Sequence, residues 1–127
     1  MRSHAITLRV RYAETDQMGY VHHANYLVYF EMGRIELLRA AGFDYKRFEE
    51  RGFFLVVARM QVRYRAPARY DDELILETSV KKVSPVRIEH EYKLIRGGEL
   101  VAEGESTLAC VDREGRLAAM PADLLPA

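Results

Sequence analysis

From Phe54 to Val111 the chain alternates apolar and polar residues with a period of two, and only short turn sequences interrupt the alternation. Such a stretch reads as β-sheet, because successive side chains of a strand point to opposite faces. It also needs a cover, since the apolar half of every strand must lie on something. Phe54, Val56, Ala58, Met60, Val62 and Tyr64 alternate with Arg59, Gln61, Arg63 and Arg65 until Pro67 stops the run. Leu74, Leu76, Thr78 and Val80 make the next strand, ended by Ser84-Pro85. Val86, Ile88, His90, Tyr92 and Leu94 make another, and Gly97-Gly98 turns tightly into a last strand from Leu100 to Val111. In that strand Ala102, Gly104, Ser106 and Cys110 share a face stripped of bulk, which suits close approach by a helix.

The cover is found upstream. Tyr26, Phe30, Leu37, Leu38 and Ala41 recur at helical spacing, with Ala24, Gly33 and Ala40 keeping part of the surface small. This helix is entered near Ala24 and Asn25, with Asn25 as its N-cap, and stops at Gly42. A shorter helical piece, Tyr45 to Glu50, ends at Gly52. Ahead of both, Ile6, Leu8, Val10 and Tyr12 alternate with Thr7, Arg9 and Arg11, which predicts a strand from Ala5 to Tyr12 that delivers Tyr12 on its apolar face. One long helix and five strands predict an α+β chain, residues 1–127 as a single domain, in which an antiparallel sheet wraps one central helix. A sheet of long strands has open edges, so pairing between subunits is expected, and the closing PADLLPA segment is expected to pack back.

Composition narrows the function. Nineteen basic and nineteen acidic residues cancel, which argues against a general nucleic-acid binder, whose phosphate contacts need a basic excess. Cys110 stands alone, so no internal disulfide, CxxC pair or Cys/His zinc site can form. With neither an apolar leader nor a long apolar run, the sequence predicts a soluble chain of the reducing cytoplasm.

The chemistry gathers between Tyr12 and Glu31, in YAETDQMGYVHHANYLVYFE. Asp16 sits in a polar loop with Gly19, after the first strand and ahead of the helix. Alone it reads as a turn aspartate. In company it is a candidate catalytic carboxylate, because free N–H groups at a helix start can polarise a carbonyl beside it. Tyr12 and His23 flank it in sequence and complete the candidate group. His22 and His23 suggest a metal less than a hydrogen-bonded helix start, because adjacent histidines diverge on a regular backbone and further ligands are missing. Tyr26, Tyr29 and Phe30 read as core or as lining of a substrate pocket. His90, on an apolar strand face, reads as a hydrogen-bonded histidine that is buried or at an interface. Arg59, Arg63 and Arg65 share a strand face and, with Arg69, could hold a phosphorylated ligand or simply face solvent. Nothing near Cys110 in sequence would activate its thiol, and no GxSxG, GxGxxG or P-loop pattern is present.

The segment Y-x3-D-x2-G-x3-H-x-N-Y, here Tyr12, Asp16, Gly19, His23, Asn25 and Tyr26, resembles the signature of the hotdog-fold acyl-CoA thioesterases. It is most similar to the branch of 4-hydroxybenzoyl-CoA thioesterase and the Tol-Pal-associated short acyl-CoA thioesterases. The resemblance extends over nearly the whole chain, including the ending GRLAAMPADLL. It implies a hotdog fold, dimers that join two sheets into one, homotetramers built from those dimers, and a site between subunits. It implies further that Asp16 is the nucleophile or general base, that the His23 N–H polarises the thioester carbonyl, and that Tyr12 and the His23 side chain belong to the site. Glu31 matches a helix position facing the acyl group. The substrate so implied is a short-chain or aromatic acyl-CoA, with no metal and no cofactor. Two other readings stand beside this one: a non-catalytic module binding acyl-CoA or acyl-carrier protein, and a hotdog hydratase or dehydratase.

Overall fold

The computed structural model describes residues 2–121. Strand β1 spans Ser3–Arg9, a single 3-10 turn covers Tyr12–Glu14, and helix α1 spans Asn25–Ala40. Helix α2 covers Tyr45–Glu50, and strands β2 (Phe54–Tyr64), β3 (Glu73–Val83), β4 (Arg87–Arg96) and β5 (Glu99–Val111) follow. The strands form one antiparallel sheet in the order β1-β3-β4-β5-β2, so β1 and β2 are its edges. The sheet wraps α1, as a hotdog fold requires.

Alternation sets the inner face. Leu74, Leu76, Thr78 and Val80 of β3 and Ile88, His90, Tyr92 and Leu94 of β4 are all buried. Around them lie two apolar clusters. Tyr26, Tyr29 and Phe30 of α1 pack with Leu8, Leu76, Tyr92 and Ala102, while Leu37 meets Phe48, Ile88, Cys110 and Met120 toward the other end of the helix. Burying each such large side chain contributes about 1.5–3 kcal/mol. The close fit depends on missing methyl groups. A Cβ on Gly33 of α1 would fall 2.7 Å from Leu76 Cδ2 and closer still to Thr78 Oγ1. At the C-terminus of α1, Gly42 takes φ +84°, the Phe43 N–H donates to Leu38 O, and the Gly42 N–H donates to Arg39 O. This is a Schellman ending, and it stops the helix at the glycine that predicted the stop.

Four expectations change. Strand β1 ends at Arg9, three residues before Tyr12. There the Val10 N–H donates to Asp72 O and the Arg11 N–H to the Glu14 carboxylate, so the chain turns away from the sheet. Tyr12 is therefore not on a strand's apolar face but 77% exposed in the 3-10 turn. Asn25 is the first residue of α1, not its N-cap, and its side chain bonds elsewhere. In β2, Phe54, Val56 and Ala58 do not share the inner face with Met60 and Val62. A bulge between Val57 and Arg59 inverts the parity, so that Leu55 precedes it and Met60 and Val62 follow it against the core.

After β5 the chain turns back: the Ala118 N–H donates to Cys110 O, the Met120 N–H donates to Pro85 O, and the Met120 side chain is buried. From residue 122 onward the expected packing of the PADLLPA end lies outside the described residues. No helix among the described residues is long and apolar enough to cross a membrane.

Candidate active site

The loop between the 3-10 turn and α1 folds on itself before it reaches the helix. Thr15 bridges Val21, the Asp16 N–H donates to Tyr20 O at 2.7 Å, and the Gly19 N–H donates to Asp16 O at 2.9 Å. Gly19 takes φ +81°, which closes the turn at little conformational cost. Within this turn one carboxylate oxygen of Asp16, Oδ1, accepts the N–H groups of Met18 at 2.9 Å and Tyr20 at 3.3 Å. Oδ2 has no hydrogen-bond partner among the described residues. The turn thus holds the carboxylate by one oxygen and leaves the other without a partner among the described residues.

The loop then joins the helix. The Val21 N–H donates to Ala68 O, the His22 N–H to Glu14 O, and the Asn25 N–H to His22 O. His22 Nδ1 accepts the Ala24 N–H at 3.2 Å. The His23 N–H, by contrast, has no acceptor among the described residues, while His23 O accepts the Tyr64 hydroxyl of β2 at 3.1 Å. That unpaired donor stands just before the start of α1, where backbone N–H groups carry the positive end of the helix dipole. The two histidines do not diverge as expected for a regular backbone. The chain turns at 22–24, and their rings stack with centroids 4.2 Å apart. Among the described residues no group of His, Cys, Asp and Glu is placed to hold a metal ion.

Asp16 and His23 open into one groove of about 340 Å³, whose walls include Met18, Tyr20, Tyr26, Tyr64 and Arg65. Tyr26 is 3% exposed and meets the Tyr64 ring edge-on at 5.1 Å. Burial raises its hydroxyl pKa, so it stays protonated at neutral pH. The other expected residues lie outside this groove. Tyr12 packs edge-on against Tyr70 at 5.5 Å. Glu31 lies exposed on α1. Arg59 and Arg63 line recesses on the outer face of the sheet, among Glu89, Glu91, Glu103 and Glu105. Arg65 stands at the groove and also donates to Glu103 at 2.8 Å.

Two groups escaped the sequence reading. Tyr64 resembled one more alternating strand residue, and its bond to His23 O had no signal in the sequence. Glu14 carries no distinguishing signal in the sequence, yet it is 7% exposed. Burial alone would raise its pKa, but hydrogen bonds from the Arg11 N–H, the Tyr29 hydroxyl and the Arg11 guanidinium hold it below the ordinary glutamate value. Burial, followed by that carboxylate, raises the pKa of Tyr29 strongly.

An anchored carboxylate with one unpaired oxygen, in a groove lined also by a residue with an unpaired N–H, matches what acyl transfer needs: a nucleophile or base, and a partner for the oxygen on which charge develops. Comparison with known proteins points the same way. The thioesterase-like superfamily matches over residues 10–127. The acyl-CoA thioesterase YbgC of Haemophilus influenzae is 37% identical over 106 residues, which make up 83% of this chain and 78% of that protein. A protein from Thermus thermophilus superposes with a TM-score of 0.90 at 39% identity, over 94% of this chain and 92% of that one. The DHNA-CoA thioesterase of Staphylococcus aureus superposes with a TM-score of 0.90 at 30% identity, over 94% of this chain and 81% of that one.

Proposed function

The chain belongs to the thioesterase-like superfamily, and we propose that it is an acyl-CoA thioesterase which hydrolyses a short-chain or aromatic acyl-CoA at Asp16. The observation that carries this reading is the shared groove, lined both by Asp16, whose carboxylate has one oxygen without a hydrogen bond, and by His23, whose N–H is unpaired among the described residues. A thioester carbonyl placed between them is attacked from the carboxylate side while its oxygen receives the N–H. Two routes lead to the same products. In the first, Asp16 Oδ2 bonds to the carbonyl carbon, the C–S bond breaks, coenzyme A leaves as the thiolate and takes up a proton, and water hydrolyses the acyl anhydride. In the second, Asp16 accepts a proton from water as that water attacks, and the thiolate leaves in the same way. One oriented donor stabilises the charged oxygen by about 3 kcal/mol.

Tyr26, Tyr64 and Met18 supply apolar walls for a compact acyl group, and Arg65 supplies a cation at the groove. The His23 side chain, exposed beside the groove, is the nearby candidate to pass a proton to the departing thiolate. Residues 1–127 act in this reading as one hotdog domain, working as a homodimer or a homotetramer. Strand β2 is an edge with Val56 43% and Val57 51% exposed, and α1 exposes Val28 and Met32. A second copy would cover them. Tyr12, Glu31, Arg59 and Arg63, which lie away from the groove of one chain, then belong to a substrate path that runs across two copies.

The test is release of coenzyme A from a panel of acetyl, longer aliphatic and benzoyl thioesters, with light scattering on the same preparation. Hydrolysis of at least one short or aromatic thioester, at a mass that is a multiple of the chain's, is expected. Binding of acyl-CoA without turnover across the panel would replace an enzyme by a binding module.

A further inference from the structure

We propose that Glu14 is a positioning residue of the Asp16 site, an inference that rests on the thioesterase reading. Its buried carboxylate and its backbone carbonyl together tie the Asp16 loop to the first turns of α1. The carboxylate faces both chain segments at once. Oε1 accepts the Arg11 N–H at 2.8 Å and the Tyr29 hydroxyl at 2.9 Å, and Oε2 accepts Arg11 Nε at 3.1 Å. Arg11 belongs to the segment leaving β1, and Tyr29 lies in α1. The carbonyl performs a second join: it accepts Asn25 Nδ2 at 2.8 Å and the His22 N–H at 2.9 Å.

These bonds bracket the groups that matter. Glu14 stands two residues before Asp16, and its carbonyl fixes the residues on either side of His23 and Ala24. The separation of Asp16 and His23 therefore depends on Glu14, which joins their two segments, as well as on the turn that holds Asp16 Oδ1. Two features show that the position is built rather than incidental. A carboxylate this buried costs several kcal/mol unless it is hydrogen-bonded, and here both oxygens are engaged. The chain's single asparagine spends its side chain on the Glu14 carbonyl instead of capping the helix. Misplacement of reacting groups by about 1 Å costs on the order of a hundredfold in rate, so a group that fixes this distance acts on turnover more than on binding.

The test is a double-mutant cycle on the thioester that the wild-type protein hydrolyses. Glu14→Gln keeps the volume, and Tyr29→Phe removes one donor to Glu14 and leaves the carboxylate in place. We expect kcat to fall about tenfold to a hundredfold in Glu14→Gln and severalfold in Tyr29→Phe, with KM changed by less than about twofold. In an Asp16→Asn background the Glu14 substitution should lower the residual rate no further. A residue that only stabilises the fold would lower kcat equally in both backgrounds, and that result, or an unchanged kcat in both single variants, overturns the proposal. If Glu14→Gln does not fold, Tyr29→Phe carries the same comparison. If wild-type protein hydrolyses no thioester, the thioesterase reading has failed separately. Amide exchange then decides: at least about tenfold faster exchange at His22 and Asp16 in Tyr29→Phe supports the tie, and unchanged exchange refutes it.

Discussion

Single atoms decide how closely the central helix lies on the sheet. At Gly104 of β5 an added Cβ would fall 2.7 Å from Gln61 O on the neighbouring strand and 2.7 Å from Phe30 Cε2 on α1. The backbone oxygen cannot swing aside as a side chain can. Gly104→Ala should therefore destabilise the protein by about 1–3 kcal/mol, read as a lower urea midpoint with unchanged slope; a shift below about 0.5 kcal/mol would contradict this account. The small residues of that strand were legible in sequence because a bare inner face has few other uses. Asp16 and Gly19 were legible for a similar reason, since a tight turn requires a glycine able to take positive φ. Glu14 and Tyr12 were not. Whether a charged or aromatic residue just past a strand is buried depends on where the strand ends, and β1 ends at hydrogen bonds from Arg11 to Glu14 that no alternation pattern encodes.

Between elements, the contact of α1 with the sheet holds an unusual group. His90 of β4 is 1% exposed, and neither ring nitrogen has a hydrogen-bond partner among the described residues. Burial, and then the nearby Arg34 guanidinium on α1, push its pKa down to about 4. Arg34 is itself buried and donates to the Tyr92 hydroxyl, which pairs with Ser106. A second cation is unwelcome there. The unfolded histidine titrates near 6.5, so as pH falls the unfolded state takes up its proton first. This contribution to stability is complete above about pH 6.5 and is lost progressively toward pH 4, amounting to about 2–3 kcal/mol near pH 4.5. Urea unfolding of wild type and His90→Leu, near pH 7 and near pH 4.5, should show the wild type losing that much more than the variant. Equal losses would remove His90 from the acid response. The burial of His90 was legible from its place on an apolar strand face, as was α1 from its spacing, but the hydrogen bonds expected of that histidine are absent among the described residues. The bulge after Val57 was not, because Phe53 to Ala58 are all apolar and show no break where the parity inverts.

At the scale of the molecule, the outer face of the sheet and its edge differ in kind. The outer face is paired within itself: Lys81 lies 3.1 Å from Glu105 and 3.8 Å from Glu91, and Arg65 lies 2.8 Å from Glu103. Such exposed pairs add little stability, but they keep that face wet. The β2 edge exposes Val56 and Val57 and helix α1 exposes Leu27, Val28 and Met32, which is why the proposed assembly uses them. All five strands and the long helix could be read in advance, because sheet and cover are properties of period and length. The groove could not, because it is made by residues distant in sequence, Asp16 and His23 with Tyr64 and Arg65. The central claim, that Asp16 performs the chemistry in this groove, is tested most directly by kcat of Asp16→Asn on the best acyl-CoA substrate, with coenzyme A binding and the thermal midpoint measured alongside. The account predicts a loss of at least about a hundredfold in kcat with binding and midpoint close to wild type. Near-normal hydrolysis by that variant would contradict it.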